Sequence, residues 1–316
     1  MLAVLFPGQG AQEVGMGQDV YTSSAAGRAV FDAADEALGF SLSKLIFEGP
    51  AEELVRTEIG QPAILTASIA LYRAFQEKTD FKPAVVAGHS LGEYSALVAA
   101  GSLRLEGAVK LVHWRGRFMQ EAVPQGKGAM AAILGTSAEN VEKACEEVAA
   151  ATGKVVAPAN FNSPVQTVIA GDAEAVEQAC VKAQGLGARK VVPLAVSAPF
   201  HCALMQPASD KFALELASCV FSDPTPPVVS NVESAPNHQG SRVAELLERQ
   251  IVSPVRFTDI VNRLAADGVT HFLEVGPGAV LSGLVARIAK RTPRQNVSSV
   301  SDFEAAQAFV EESNSL

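Results

Sequence analysis

Residues 84–92 read Ala-Val-Val-Ala-Gly-His-Ser-Leu-Gly: a short apolar run, a serine between two glycines, then the start of a helical pattern. A run of this length bounded by glycine reads as a buried strand, and residues 93–100, stopped by Gly101, read as a helix. Strand, sharp turn and helix in that order describe a nucleophile elbow with Ser90 at its tip. Gly88 and Gly92 are expected to let the backbone turn, leaving the hydroxyl at the positive end of the following helix. A Gly/Ser turn without chemistry matches the same letters, and the flanking strand and helix are what favour the elbow.

Strand-like and helix-like segments alternate through the first 125 residues. Leu2–Phe6 reads as a strand followed by the loop Pro7-Gly8-Gln9-Gly10, and helical patterns cover 25–38 and 63–76. This is the pattern of a parallel sheet covered by helices, as in hydrolase-like α/β cores. Residues 126–196 change style. Strands are expected at 128–134, 155–161, 166–170 and 189–196, with helices at 138–151 and 173–184. That βαββαβ order predicts a ferredoxin-like α+β subdomain that begins and ends in strands and so can be inserted. Strands at 227–231 and 269–275, a helix after Gly276-Pro277-Gly278 and an amphipathic helix at 303–310 resume the α/β pattern. The expected organisation is a large catalytic domain made of 1–125 and 197–316, with 126–196 as the inserted subdomain.

The 316 residues are 48% hydrophobic and 19% charged, a globular composition. No apolar run reaches the roughly 18 to 20 residues that cross a bilayer. The chain starts in a strand without a basic leader, so a cytoplasmic protein without membrane contact is expected. A net charge of −9 argues against nucleic acid as a partner. Cys145, Cys180, Cys202 and Cys219 are spaced neither as zinc ligands nor as a disulfide framework, which predicts reduced thiols and no metal. Arg287, Lys290, Arg291 and Arg294 read either as a solvated helix terminus or as a contact for phosphates or an acidic partner, as do Lys182, Arg189 and Lys190.

A serine nucleophile needs a base. His201 follows Ala198-Pro199-Phe200 at the exit from the inserted unit, a favoured place for catalytic groups, and His271 in a buried-looking strand is second. His89 reads as structural, His113 as the polar side of a helix and His238 as surface. The N–H of Leu91 is one donor for an oxyanion, and the Gly-rich loop holding Gln9 either supplies another or is simply a tight turn. Arg115 lies in the middle of an apolar stripe formed by Ala108, Leu111, Val112 and Met119 on a helix expected at 106–120. A guanidinium there is costly without a partner, which is either an internal Asp or Glu or the carboxylate of a substrate.

These residues place the chain. It closely resembles the malonyl-CoA:acyl carrier protein transacylases of type II fatty acid synthesis, from Phe6-Pro7-Gly8-Gln9-Gly10 to about Arg291. Intermediate matches are Gln61-Pro62-Ala63, Gly88-His89-Ser90-Leu91-Gly92-Glu93-Tyr94, Arg115-Gly116, Asn160-Phe161-Asn162-Ser163-Pro164, His201-Cys202-Ala203-Leu204-Met205 and Glu274-Val275-Gly276-Pro277-Gly278. The resemblance implies Ser90 as acyl-accepting nucleophile and His201 as general base and acid. It implies the N–H groups of Gln9 and Leu91 as oxyanion hole, and Arg115 as clamp for the malonyl carboxylate. It further implies a backbone carbonyl at Gln250 orienting His201, with Phe200 and Asn160 in the substrate site and Phe200 of the malonyl-selective type. Ser253-Pro254 stands where the family often has Asn-Pro. The implied enzyme is a monomer without cofactor, taking malonyl-CoA as substrate and acyl carrier protein as partner. Rival readings are a polyketide-pathway acyltransferase, a serine thioesterase or esterase, and a non-catalytic acyl-binding scaffold.

Overall fold

Leu2–Phe6, Val85–Gly88 and His271–Val275 are buried along their whole length, as strands covered on both faces must be. The computed structural model describes residues 1–196 and 198–315. Its strands in chain order are β1 (Leu2–Phe6), β2 (Val85–Gly88), β3 (Gly128–Leu134), β4 (Val156–Ser163) and β5 (Gln166–Asp172). They continue as β6 (Lys190–Pro193), β7 (Val228–Val229), β8 (Pro236–Asn237), β9 (His271–Val275) and β10 (Arg294–Val297). The large sheet has the order β10-β9-β1-β2-β7-β8, parallel throughout except for the β7–β8 edge.

Alternate residues of β1 serve opposite faces. Leu2, Val4 and Phe6 join the core under the long helix Thr57–Lys78, whereas Ala3 and Leu5 pack with the helices Phe257–Ala266 and Val280–Ile288. The second sheet is antiparallel in the order β4-β5-β3-β6, which is the ferredoxin-like arrangement. One of its faces carries the helices Ala138–Thr152 and Ala173–Gly185 through Ile133, Ile169, Val141 and Ala179. The other face sends Met130, Ala132, Val168 and Ala170 into the main core. Backbone bonds from Val255 N–H to Ala159 O and from Phe161 N–H to Val255 O, both 2.9 Å, tie β4 to the chain segment beyond β8.

The expected strands and helices have the expected types and several boundaries move, while Arg294, read with a helix terminus, opens β10. The helix expected from residue 63 begins at Thr57 and runs through Pro62. Proline lacks the N–H that would satisfy the Glu58 carbonyl. His113 Nδ1 donates to that carbonyl at 2.9 Å instead, so the turn survives. The strand expected at 189–196 ends at Pro193, and that at 227–231 shrinks to Val228–Val229 because Asn231 turns towards the elbow. The expected domain boundary at 197 lies outside the described residues. All four cysteines are free thiols. Among the described residues no helix is long and apolar enough to cross a membrane.

The elbow forms, but its glycines act differently from expectation. Ser90 itself holds the left-handed backbone, at φ +52°, and neither neighbouring glycine does. Gly88 and Gly92 are required because backbone presses on backbone. A Cβ on Gly92 would lie 2.0 Å from Phe6 O, and one on Gly88 2.0 Å from the Gly92 carbonyl carbon. No rotamer change relieves such a contact, so Gly92→Ala is expected to cost about 3 kcal/mol or more, read as a lowered urea midpoint.

Candidate active site

Ser90 sits at the C-terminal end of β2, where ligands collect in open α/β sheets. Its left-handed backbone carries a strain of about 1–3 kcal/mol that surrounding bonds must offset. They do: Ser90 N–H donates to Asn231 Oδ1 at 2.7 Å, and Gln250 Nε2 donates to Ser90 O at 3.0 Å. The Ser90 hydroxyl lies 2.7 Å from His201 Nε2. His201, also left-handed at φ +59°, places Nδ1 2.9 Å from the Gln250 carbonyl. A carbonyl offers only lone pairs, so Nδ1 carries the proton and Nε2 is left to accept one from serine. Burial and then the nearby Arg115 charge push this imidazole down to about 3, against the pull of the Gln250 carbonyl. The ring is therefore neutral at physiological pH.

The other histidines fall where their elements put them. His271, the second candidate base, opens β9 at the opposite end of the sheet from the elbow, paired with Leu2 and packed 4.9 Å from the Phe309 ring. That candidacy is corrected: the elbow hydroxyl lies at strand C-termini, and His271 lies at a strand N-terminus. His89 bonds Asn162 Oδ1 at 2.8 Å and lies tilted against the Phe257 ring, 5.6 Å between ring centres. His238 is exposed.

Arg115, on the helix Leu105–Glu121, is 1% exposed. Its guanidinium donates to Gln61 Oε1 at 2.7 Å, Gln250 Oε1 at 2.8 Å and the Ser90 hydroxyl at 3.1 Å, and lies 5.2 Å from the Tyr94 ring centre. Among the described residues it makes no ion pair, and its Nε has no partner. Of the two partners the sequence left open, the internal carboxylate is absent from its contacts. The cation is held by neutral amides beside the hydroxyl.

A cavity of about 360 Å³ opens over these groups, lined among others by Gln9, Arg115, Met119, Met130, Asn160 and Phe200. The inserted sheet supplies Met130 and Asn160, so the site lies between the two sheets. Gly8 brings the Gln9 loop against the elbow: a Cβ there would lie 2.3 Å from His89 O. Leu91 stands at the N-terminal end of the helix Gly92–Ala99, where helix donors have no carbonyl of their own. Among the described residues neither the Gln9 nor the Leu91 N–H donates to a protein acceptor. A hydroxyl and a neutral imidazole on one cavity, with the Gln9 loop lining it and the free Leu91 N–H directly after the serine, are parts that acyl transfer uses. The basic side chains near the end lie at the surface, where Arg287 bonds Gln166 Oε1 at 2.9 Å; Lys182 pairs with Glu147.

Three buried polar residues were given no role by the sequence reading: Gln61 and Glu93, which stood only in quoted motifs, and Asn231. Glu93 had a legible signal, because it opens a helix apolar on every side and any charge there must be buried. Asn231 had none. Burial pushes the Glu93 carboxyl up to about 7, against the pull of Asn231 N–H, the Gln250 amide and Arg115. Its folded value lies above the ordinary 4.5, so its share of stability is complete below pH 4.5 and is lost as pH rises through 7. Glu93→Gln is accordingly expected to melt above the parent protein at pH 8 and level with it below pH 4.5.

A model of the acyl transferase domain matches residues 4–308. The chain belongs to the acyl transferase family. Among its relatives, the malonyl CoA-acyl carrier protein transacylase of Escherichia coli K12 is 51% identical over 286 residues, 90% of this chain and 92% of that protein. The crystal structure of an acyl carrier protein S-malonyltransferase from Vibrio cholerae superposes with a TM-score of 0.94 at 46% identity, covering 96% of this acyl transferase and 99% of the other chain. A malonyl-transacylase solved with its type II PKS acyl carrier protein has a TM-score of 0.94 at 45% identity, covering 97% and 99% of the two chains.

Proposed function

We propose that this acyl transferase moves a malonyl group from malonyl-CoA to the phosphopantetheine thiol of acyl carrier protein through an ester on Ser90. The observation that carries the reading is Arg115: a buried cation, held only by neutral groups, 3.1 Å from the Ser90 hydroxyl. A cation with no carboxylate among its contacts is a place for an incoming anion, and a malonyl thioester presents a carboxylate two bonds from its reacting carbonyl carbon. The planar guanidinium can take that carboxylate bidentately.

In this reading His201 Nε2 takes the Ser90 proton as Oγ attacks the thioester carbonyl. The N–H groups of Gln9 and Leu91 hold the oxyanion, and the C–S bond breaks as the proton passes to the departing thiolate. The carrier thiol then repeats the sequence in reverse, giving ping-pong kinetics. The substrate carboxylate also offsets the Arg115 charge that depresses His201, so malonyl strengthens the base that acts on it. No other cofactor enters these steps. Phe200 and Asn160 line the acyl space. The likeness to a transacylase bound to a polyketide carrier extends the reading to carriers of either pathway.

We also divide the chain into a large catalytic unit, 1–125 and 197–316, and an inserted unit, 126–196. Two separate sheets meeting at the cavity support that division. Transfer from a panel of CoA thioesters to holo acyl carrier protein, with intact mass taken after each half-reaction, tests the function. A malonyl adduct on the protein that passes to carrier is expected; free malonate released faster than transfer marks a thioesterase, and no adduct marks a scaffold.

A further inference from the structure

Ser90 is clamped through both of its backbone polar groups, the N–H and the carbonyl. Asn231 Oδ1 receives its N–H while Asn231 Nδ2 donates to Gly88 O at 2.7 Å, and Gln250 Nε2 donates to its carbonyl. Both clamps are held by a single atom. Glu93 Oε2 accepts Asn231 N–H at 3.0 Å and Gln250 Nε2 at 2.6 Å. The three residues are 3%, 0% and 1% exposed for Glu93, Asn231 and Gln250, so water offers no replacement partner.

The Gln250 amide has a polarity that matters. Its oxygen faces the Arg115 guanidinium and its nitrogen faces Glu93 and Ser90 O. A flipped amide would set donor against donor at Arg115 and acceptor against acceptor at Glu93. The same residue's backbone carbonyl orients His201. Nucleophile backbone, base and cation therefore all depend on two residues, Asn231 and Gln250, that share one acceptor.

The geometry points to Glu93 as a positioning residue for acyl transfer: through Asn231 and Gln250 it sets the Ser90 backbone and the Arg115 guanidinium together. This rests on the malonyl-transfer reading above. What Glu93 supplies is an oxygen at a defined reach. Both bonds fall on Oε2, so a glutamine carbonyl can accept them, whereas aspartate stops one methylene short. The carboxyl value near 7 agrees with a role that survives protonation, since Oε2 keeps its lone pairs in either form.

Single-turnover acylation of Ser90 by malonyl-CoA and by acetyl-CoA, quenched and read by intact mass, tests the assignment on the parent protein and on Glu93→Gln, Glu93→Asp and Glu93→Ala. The Ala and Asp variants should acylate about 10²-fold more slowly at saturating malonyl-CoA, the usual cost of displacing a reacting group by an ångström. Their KM for malonyl-CoA should rise while that for acetyl-CoA, which presents no carboxylate to Arg115, stays level. The Gln variant should remain within about fivefold of the parent on both substrates. Asp or Ala rates within about threefold of the parent overturn the proposal, as does a Gln variant as slow as Ala. Should Glu93→Ala not fold, the Asp and Gln pair decides by the same criteria; failure of Glu93→Gln to fold overturns the proposal too. A parent protein that takes no malonyl overturns the transfer reading and this assignment with it, whereas normal parent acylation with unaffected variants overturns this assignment alone.

Discussion

Ser90→Ala takes up no mass from malonyl-CoA, and its transfer to carrier protein falls by about 10⁴- to 10⁶-fold, the range for losing a nucleophile from a serine–histidine site. The size follows from the arrangement. Among the described residues the Ser90 hydroxyl is the one hydroxyl oxygen bonded to His201 Nε2, at 2.7 Å; bonds from Asn231 and Gln250 hold the Ser90 backbone, and the Gln250 carbonyl holds the His201 ring. Alanine removes the group that must become covalently acylated, and the remaining binding and oxyanion donors cannot supply one. His201→Ala should fall in the same range without adding to the loss in the double variant, because the two act as a unit. A double variant much slower than either single one would refute that coupling. The pH dependence has a definite sign. Only neutral imidazole accepts the serine proton, and the folded value is depressed to about 3, so acylation should hold its rate well below the ordinary histidine value of 6.5. An acid limb near 6.5 in kcat/KM, which reports the free enzyme, would contradict it.

The second large effect belongs to Arg115. Removing one member of a buried charge pair costs about 3–5 kcal/mol, so Arg115→Ala should lose about 10²- to 10⁴-fold in kcat/KM with malonyl-CoA. Acetyl-CoA offers no carboxylate and leaves the parent guanidinium unpaired when its acyl group fills the site, so it should lose little or gain. The measured quantity is the malonyl-to-acetyl ratio of kcat/KM, which is expected to collapse towards unity. A variant that keeps the parent ratio would remove Arg115 from the recognition of malonyl. Arg115→Lys is not expected to rescue fully: an ammonium cannot reproduce a planar fork that reaches Gln61, Gln250 and the serine hydroxyl at once.

The legible part of this protein was the part written in local pattern. The apolar run before Gly88, the alternation of strands and helices and the βαββαβ order of the inserted unit each reflect one backbone period, and a period survives without knowledge of neighbours. Ser90 was legible because an elbow is a local shape. Arg115 was legible because a charge in the middle of an apolar stripe contradicts its surroundings. The sequence could say only that Arg115 needed a partner, not which one.

Tertiary structure decided what depends on atoms far apart in the chain. His201 and His271 were both open as bases until folding put one at the strand C-termini and the other at a strand N-terminus, 111 and 181 residues from Ser90 respectively. Gln61 was quoted in a motif without a role, and Asn231 carried no local signal, because a hydrogen bond has a direction only when its partner is in place. Glu93 shows the division in one residue. Its burial was readable from the apolar helix around it, but the two bonds on Oε2, from residues 138 and 157 positions away, exist only in the folded chain. Periodicity sets which face of an element is covered; the close contacts that align a nucleophile, a base and a cation are set by how the covered faces meet.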